Sequence, residues 1–511
     1  MAPDRGTTLV VLGIGLFVAT MAVGAVTAPS RNIAGTDGQP TPTLAPGSPP
    51  GNPTPGTGTS TATATPTAPR TLVGMQGEWI GGGSVFMLSG SEEMWRESSA
   101  GGYFEVEMLP DGTVLAGFAN AKASDCGPLS SPCGRTGFRH IDPTGAGAPE
   151  IISEYSFPVG GITNSEVHAV DRIAPGEYVF TDMHNERIVV VENGTAVWSW
   201  NASSRYEEPP NPSGRDWLHI NDVDVIGEDR FLVSVRNANQ ILVVERGGGV
   251  VEVINEDDGN ASEASCRKDG RLYPGDDGEV TCGDPGVIVE QHNPQWIGPG
   301  AVLVADSKND RVVELHRTEN GSWEPAWVVR EAGGIELWWP RDADRLPNGN
   351  TLITDTFNKR VVEVDENGNA VWSVGTKKLP YEADRLPFGE MAGRYDGPGA
   401  TPTNGSTATP TNGSTATPAN GSTATPTPLG SPLPTAGNGS GDLSRRGSDI
   451  PGLSLAVAGI QGEFTWVPFW FREFHLGVTV VSLLLVVAGG VDTARGRWDL
   501  RERLGALRRG R

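Results

Sequence analysis

The chain has 511 residues, with 62 acidic against 39 basic side chains and a formal net charge of -23. Such a charge repels phosphodiester backbones and excludes nucleic acid as a partner. Lysine is confined to Lys122, Lys268, Lys308, Lys359, Lys377 and Lys378, and the acidity fits a halophilic surface that stays hydrated in concentrated salt.

In chain order, Thr7–Ala28 is 22 residues without a charge, between Arg5 and Arg31. That length spans a hydrocarbon core and exceeds the apolar region of a secretion signal, so residues 1–36 read as a transmembrane signal anchor. Residues 37–70, rich in Pro, Thr, Gly and Ser, form a linker with nothing to pack.

From Thr71 the pattern changes to short β-branched runs at period two, broken by Gly turns such as Asn348-Gly349 and Asn367-Gly368. Thr71–Gln76, Ser84–Leu88 and Glu93–Glu97 read as second, third and fourth strands with no first strand before them. Fuller copies begin at residues 103, 167, 220, 292 and 339, while Pro380–Pro387 copies a first strand alone. A single four-stranded unit cannot bury both faces, so neighbours must stack around an axis. The two incomplete ends together make a sixth unit, which removes open sheet edges. The expected fold is all-β, a six-bladed β-propeller over residues 71–396, closed by N- and C-terminal strands. Cys126/Cys133 and Cys266/Cys282 fall as local pairs in loop excursions, without zinc spacing, and predict two disulfides.

Beyond the propeller, residues 397–450 hold the repeat TPTNGSTA, with Asn-Gly-Ser sequons at Asn404, Asn412, Asn420 and Asn438. This predicts an extended, glycosylated, extracellular stalk. Further sequons stand at Asn193, Asn201, Asn260 and Asn320. Residues 451–491 comprise an aromatic belt, Phe464–Phe474, and a second span, His475–Val491; the Arg-rich residues 492–511 follow. The basic residues predict that both termini are cytoplasmic and the propeller faces outward, the lipid bilayer being a partner through two helices.

Aligning the six first strands puts Phe104, His168, Asn221, His292, Arg341 and Tyr381 at one equivalent position, facing the central channel, with His219 two residues before Asn221. Three of the seven histidines therefore fall on or beside one ring. A polar, water-filled channel is the plainer reading. Asp182, Asp306 and Asp355, each after a second strand, read as turn caps rather than metal ligands.

These residues resemble a known family. Asp216–Asp222 (DWLHIND), Phe231–Asn237 (FLVSVRN), Gln291–Trp296 (QHNPQW) and the following WPRDADRLPNGNTLITD are similar to the arylsulfate sulfotransferases (ASST), a family of bacterial and archaeal propellers. The resemblance implies an archaeal, membrane-tethered member that moves a sulfuryl group from a phenolic sulfate donor to a phenol acceptor. It implies no cofactor, metal or nucleotide sulfate donor. On that resemblance His292 is the nucleophile that becomes sulfohistidine, and Arg236 holds the sulfuryl oxygens. His219 and Asn221 bind those oxygens or protonate the leaving phenolate. His168 belongs to the same site, and position alone nominates Arg341 and Tyr381 for substrate binding. The alternative is a non-catalytic surface propeller that binds glycans or sulfated ligands; a sulfate-ester hydrolase is a third reading.

Overall fold

The computed structural model describes residues 5–34, 68–77, 82–145, 147–256, 266, 270–276, 278–389, 453–464 and 467–509. The stalk with its four sequons, and Asn260, lie outside these residues; Asn193, Asn201 and Asn320 are exposed.

Six four-stranded antiparallel sheets form the six blades of a propeller. Blade 1 is assembled from both ends of the domain. Its inner strand Leu379–Leu386 pairs with Arg70–Gly77, and Ser84–Ser89 and Glu92–Glu97 complete it outward. The inner strands of blades 2 to 6 are Gly102–Met108, Val170–Ala174, Ile220–Gly227, His292–Gly298 and Pro340–Arg345. Every neighbouring pair of blades encloses an apolar cluster, including blade 6 against blade 1, where Leu352, Val361 and Trp372 meet Val73, Phe86 and Ala383. The middle strands are buried on both faces for this reason, which is why the chain repeats V-V-E where an exposed sheet would alternate apolar and polar. Turns at Gly349 (φ 86°) and Gly368 (φ 82°) require the left-handed backbone that glycine adopts freely. Cys126–Cys133 and Cys266–Cys282 are both disulfide-bonded.

The inner strands hold a feature that repeat counting alone does not reveal. In blades 1, 2, 4, 5 and 6 the register slips near the start of the inner strand. A bulge re-aims side chains that strict alternation would send to opposite faces. Consecutive residues thus both face the channel. Phe104 meets Tyr381 ring to edge, while their successors Glu105 and Glu382 line a cavity further down the axis.

Among the described residues, two helices are long and apolar enough to cross a membrane, within Arg5–Thr27 and Glu473–Arg495. They pack antiparallel through small residues: a Cβ added at Gly13 would lie 2.6 Å from the Ser482 carbonyl, and one at Gly489 would lie 2.4 Å from that of Gly6. The second helix continues to Arg509, through the segment read from sequence as a basic tail. A short helix, Leu453–Glu463, precedes it.

Both apolar helices are fastened to the propeller. Arg31 donates to the carbonyls of Lys359 (2.8 Å) and Thr376 (3.2 Å), and Ile33 pairs with Ser373 of blade 6. Arg472 donates to Asn358 Oδ1 (2.6 Å) and lies 3.8 Å over the Trp338 ring.

Candidate active site

The site begins with the loops between second and third strands. Three share one construction: Asp182-x-x-Asn185-x-Arg187, Asp306-x-x-Asn309-x-Arg311 and Asp355-x-x-Asn358-x-Arg360. In each the Asp carboxylate accepts from the Asn amide (2.9, 2.8 and 2.7 Å) and from the Arg Nε (2.7, 2.6 and 2.8 Å). All three Asp are buried, as loop clamps. Blade 4 lacks the clamp, with Val235, Ala238 and Gln240 at those positions.

The fourth residue after the aspartate position passes order to the next blade. Glu186, Asn239 and Asp310, all left-handed, accept the backbone N–H of His219, Glu290 and Trp339. Those three are left-handed in turn (φ 56°, 46° and 52°) and stand two residues before Asn221, His292 and Arg341. Such backbone persists in non-glycine residues only where the surroundings over-determine it. The buried carboxylate of Glu186 does so by accepting from Leu218, His219 and Ile220 together.

His292 is buried, its Nδ1 2.8 Å from Ser307 Oγ and 3.1 Å from the Glu290 carbonyl. Ser307 Oγ donates to the Pro340 carbonyl at 2.6 Å, and a carbonyl can only accept, so the ring proton sits on Nδ1. The lone pair is therefore on Nε2. Burial, followed by the charges of Arg341 and Arg236, holds the imidazole well below its usual range, and it is neutral.

His219 is fixed from both sides. Asp216 Oδ1 accepts at its Nδ1, and Arg236 Nη1 donates to its Nε2 at 2.9 Å. Burial and the Arg236 charge push His219 down to about 4. Asp216 lies far below the carboxylate range: burial would raise it, but the His219 hydrogen bond and the Arg236 and Arg271 charges outweigh that. Arg236 also donates through Nε to Asn237 Oδ1 (3.0 Å) and through Nη2 to Asp216 (3.3 Å). A guanidinium has five N–H groups, so one on each terminal nitrogen is left for a ligand.

The remaining ring positions meet above the same axis. The His168 ring lies 5.3 Å from that of His219, 5.2 Å from Tyr381 and 4.7 Å from Phe104. Tyr381 lies 6.1 Å from His292, and the Arg341 guanidinium stands 5.0 Å over its ring. The Tyr381 hydroxyl, His168 Nδ1 and Asn221 Oδ1 are buried without a hydrogen-bond partner among the described residues. Burial raises the Tyr381 phenol well above its usual range and lowers Arg341 to about 10. The Asn221 amide nitrogen donates to the Gln291 carbonyl at 2.8 Å.

His168, His219, Asn221, Arg236, His292, Arg341 and Tyr381, predicted from sequence, are thus brought to one end of one channel. Sequence reasoning missed Asp216, which pins His219 and Arg236; Ser307, which sets the His292 tautomer; and Gln76, which accepts from Arg341. A signal for Ser307 existed. It occupies the same place after the second strand as Arg236 does one blade earlier, and each touches the histidine of its own blade.

Fold and site together define a six-bladed propeller with an imidazole and guanidinium collar at one mouth of its channel. Residues 177–322, which contain His219, Asn221, Arg236 and His292, match the Arylsulfotransferase (ASST) family model. No curated protein matches the chain. Among solved structures, a protein of unknown function from Bacteroides caccae is similar at 13% identity and a TM-score of 0.41, over 63% of this chain and 100% of its own. A Lactobacillus plantarum protein is similar at 12% and 0.38, over 62% of this chain and 99% of its own. A virginiamycin B lyase from Staphylococcus aureus shows 10% and 0.34, over 61% and 80%. At these scores none of the three bears on function.

Proposed function

We propose that the chain is an arylsulfotransferase that passes a sulfuryl group from a phenolic sulfate ester to a phenol through sulfohistidine at His292. The observation that carries this reading is the His292 tautomer: a neutral imidazole, Nδ1 occupied by Ser307 and Glu290, its lone pair on Nε2, with the charges of Arg341 and Arg236 near enough to help hold it neutral. The family match over residues 177–322 supports it.

In the first half of the reaction Nε2 forms a bond to sulfur as the bond from sulfur to the aryl oxygen breaks. Splitting the transfer into two displacements at one nucleophile is what covalent catalysis contributes. The two remaining N–H groups of Arg236, with Arg341, hold the equatorial sulfuryl oxygens as their charge grows. The Tyr381 hydroxyl donates to the departing phenolate oxygen. In the second half the acceptor oxygen attacks sulfur, the N–S bond breaks and its electron pair returns to Nε2. The acceptor proton passes to His168 and from there to solvent, the first phenolate having already left. His219, accepting from Arg236, has no proton at Nε2 to give in this arrangement, so it positions the guanidinium. Asn221 presents Oδ1 to the acceptor hydroxyl. The Arg-rich run from Arg495 to Arg511 keeps the C-terminus cytoplasmic, and antiparallel packing of the spans brings the N-terminus to the same side, leaving the propeller outside.

Exposure to 4-nitrophenyl sulfate without acceptor should add the mass of one SO3 to the protein, on the peptide containing His292, and added phenol should discharge it. A sulfate ester that binds tightly but leaves the mass unchanged would favour the non-catalytic binder. Turnover that phenol does not accelerate would favour the hydrolase.

A further inference from the structure

The collar lies at the end of the propeller to which both apolar helices attach, and we infer that the phenol acceptor is membrane-borne: a phenolic headgroup on a lipid chain. This inference rests on the sulfuryl-transfer reading above.

His292 and Arg341 stand at the ends of inner strands nearest Trp338, Trp339, Phe357 and Lys359, and the spans attach to that same rim. Arg472, on Asn358 and Trp338, immediately precedes the helix Glu473–Arg509; Arg31, on Lys359 and Thr376, follows the end of the first helix by four residues. At a rise of about 1.5 Å per residue, Leu476 lies only about 6 Å along the helix from Arg472. The collar mouth is therefore held against the bilayer with no slack. A flexible tether alone would have anchored the protein without orienting it.

Apolar contact is continuous from the spans to the nucleophile. Met21 and Leu476 pack with Trp338, Phe357, Leu379, Val467 and Phe471, and Trp339 lies at the edge of that cluster. The Trp339 ring is 5.9 Å from Phe357 on one side and 6.3 Å from His292 on the other. Its Nε1 is buried with no partner among the described residues, which leaves a donor for an aryl oxygen arriving along this path. The two substrates of the transfer divide accordingly. A sulfate ester is an anion that dissolves in water, whereas an uncharged phenol on a chain concentrates at the interface.

The test uses the full chain in liposomes, with 4-nitrophenyl sulfate on both sides of the bilayer. The acceptors compared are phenol and a diacyl lipid with a phenolic headgroup, placed in the same vesicles or in separate ones. The expected result is sulfation of the lipid only in the same vesicles, at a kcat/KM roughly tenfold above that of phenol, and a Trp339→Leu variant that narrows the preference. Sulfation of phenol but not of the co-resident lipid would overturn the inference while leaving the transferase intact. Should neither acceptor nor protein take up the group, the transferase reading falls and this inference with it.

Discussion

The inner strands place imidazole, guanidinium and phenol at one end of the channel and carboxylates at the other. One residue beyond the collar stand Glu105, Asp222, Asp342 and Glu382; three beyond it stand Glu107, Asp171, Asp224, Asp344 and Asp384. Both ends are buried and both contain strongly shifted groups. Their bonding differs. Two carboxylates at the acidic end accept backbone N–H groups of the next blade, Asp171 from Val225 (2.7 Å) and Asp342 from Ala383 (2.9 Å), while Glu107 Oε2, Asp222 Oδ2 and Asp384 Oδ1 are buried without a partner among the described residues. Collar groups are bonded by loop side chains, which fix orientation and leave Nε2 of His292 and the Tyr381 hydroxyl for other use. A perturbed group alone does not mark chemistry, because structural networks perturb pKa values too. Here the direction of its hydrogen bonds tells the two ends apart.

His292→Ala sharpens that contrast most. It should lower kcat for nitrophenolate release by about 10^6-fold, the scale seen when a covalent nucleophile is removed, with the folded sheet content unchanged by circular dichroism. A variant that keeps full activity ends the sulfohistidine mechanism. Arg236→Ala comes next, at about 10^2- to 10^3-fold, as for loss of one preorganised charge-stabilising donor. It should also move the pH profile. With the Arg236 charge gone, His219 should rise from about 4, and an acid limb should appear closer to neutrality.

Tyr381→Phe should cost about 10^2-fold, the low end of what one positioned proton donor contributes. The loss should grow as the leaving phenol becomes less acidic, so rates across a series of substituted phenyl sulfates would show a steeper dependence on leaving-group pKa. A parallel shift for all leaving groups would instead give Tyr381 a packing role against Arg341 and Phe104.

Much of this was legible in the sequence because propeller repeats are local. Gly turns, second-strand runs and the V-V-E strand recur within each copy, and the orphan strand 380–387 pointed to closure, now seen in Arg70–Gly77 against Leu379–Leu386. Most of the collar was legible because His168, Asn221, His292, Arg341 and Tyr381 share one repeat position with His219 beside it, while Arg236 was reached through the family resemblance. The acidic rings were not, because the inner-strand bulge that turns Glu105 inward beside Phe104 depends on register between strands. Nor was the seating of the spans. Arg31 and Ile33 sit in the segment read as a transmembrane signal anchor, and their partners Lys359 and Ser373 lie more than 300 residues away.

The smallest effect is expected at the acidic end, and it concerns stability. Burial raises Asp342 to about 7, Glu107 to about 8 and Asp171 to about 6. Folded values above the unfolded ones mean the native state holds these protons more tightly, so their stabilising contribution is complete below about pH 4 and is lost as pH rises through 6 to 8. The collar imidazoles have the opposite sign. Held below 6.5 in the fold, they contribute fully above it and lose that contribution as pH falls toward about 4 for His219. Between pH 6.5 and 8 the raised carboxyls titrate, Glu166 (about 7) and Glu186 (about 8) near the collar among them, so Tm should fall as pH rises across that window. Asp342→Asn, which mimics the protonated acid, should flatten the fall by roughly a few degrees and leave kcat within about threefold. If the same substitution abolished transfer, the acidic rings would belong to the catalytic machinery, and the division of the channel into a chemical end and a structural end would be wrong.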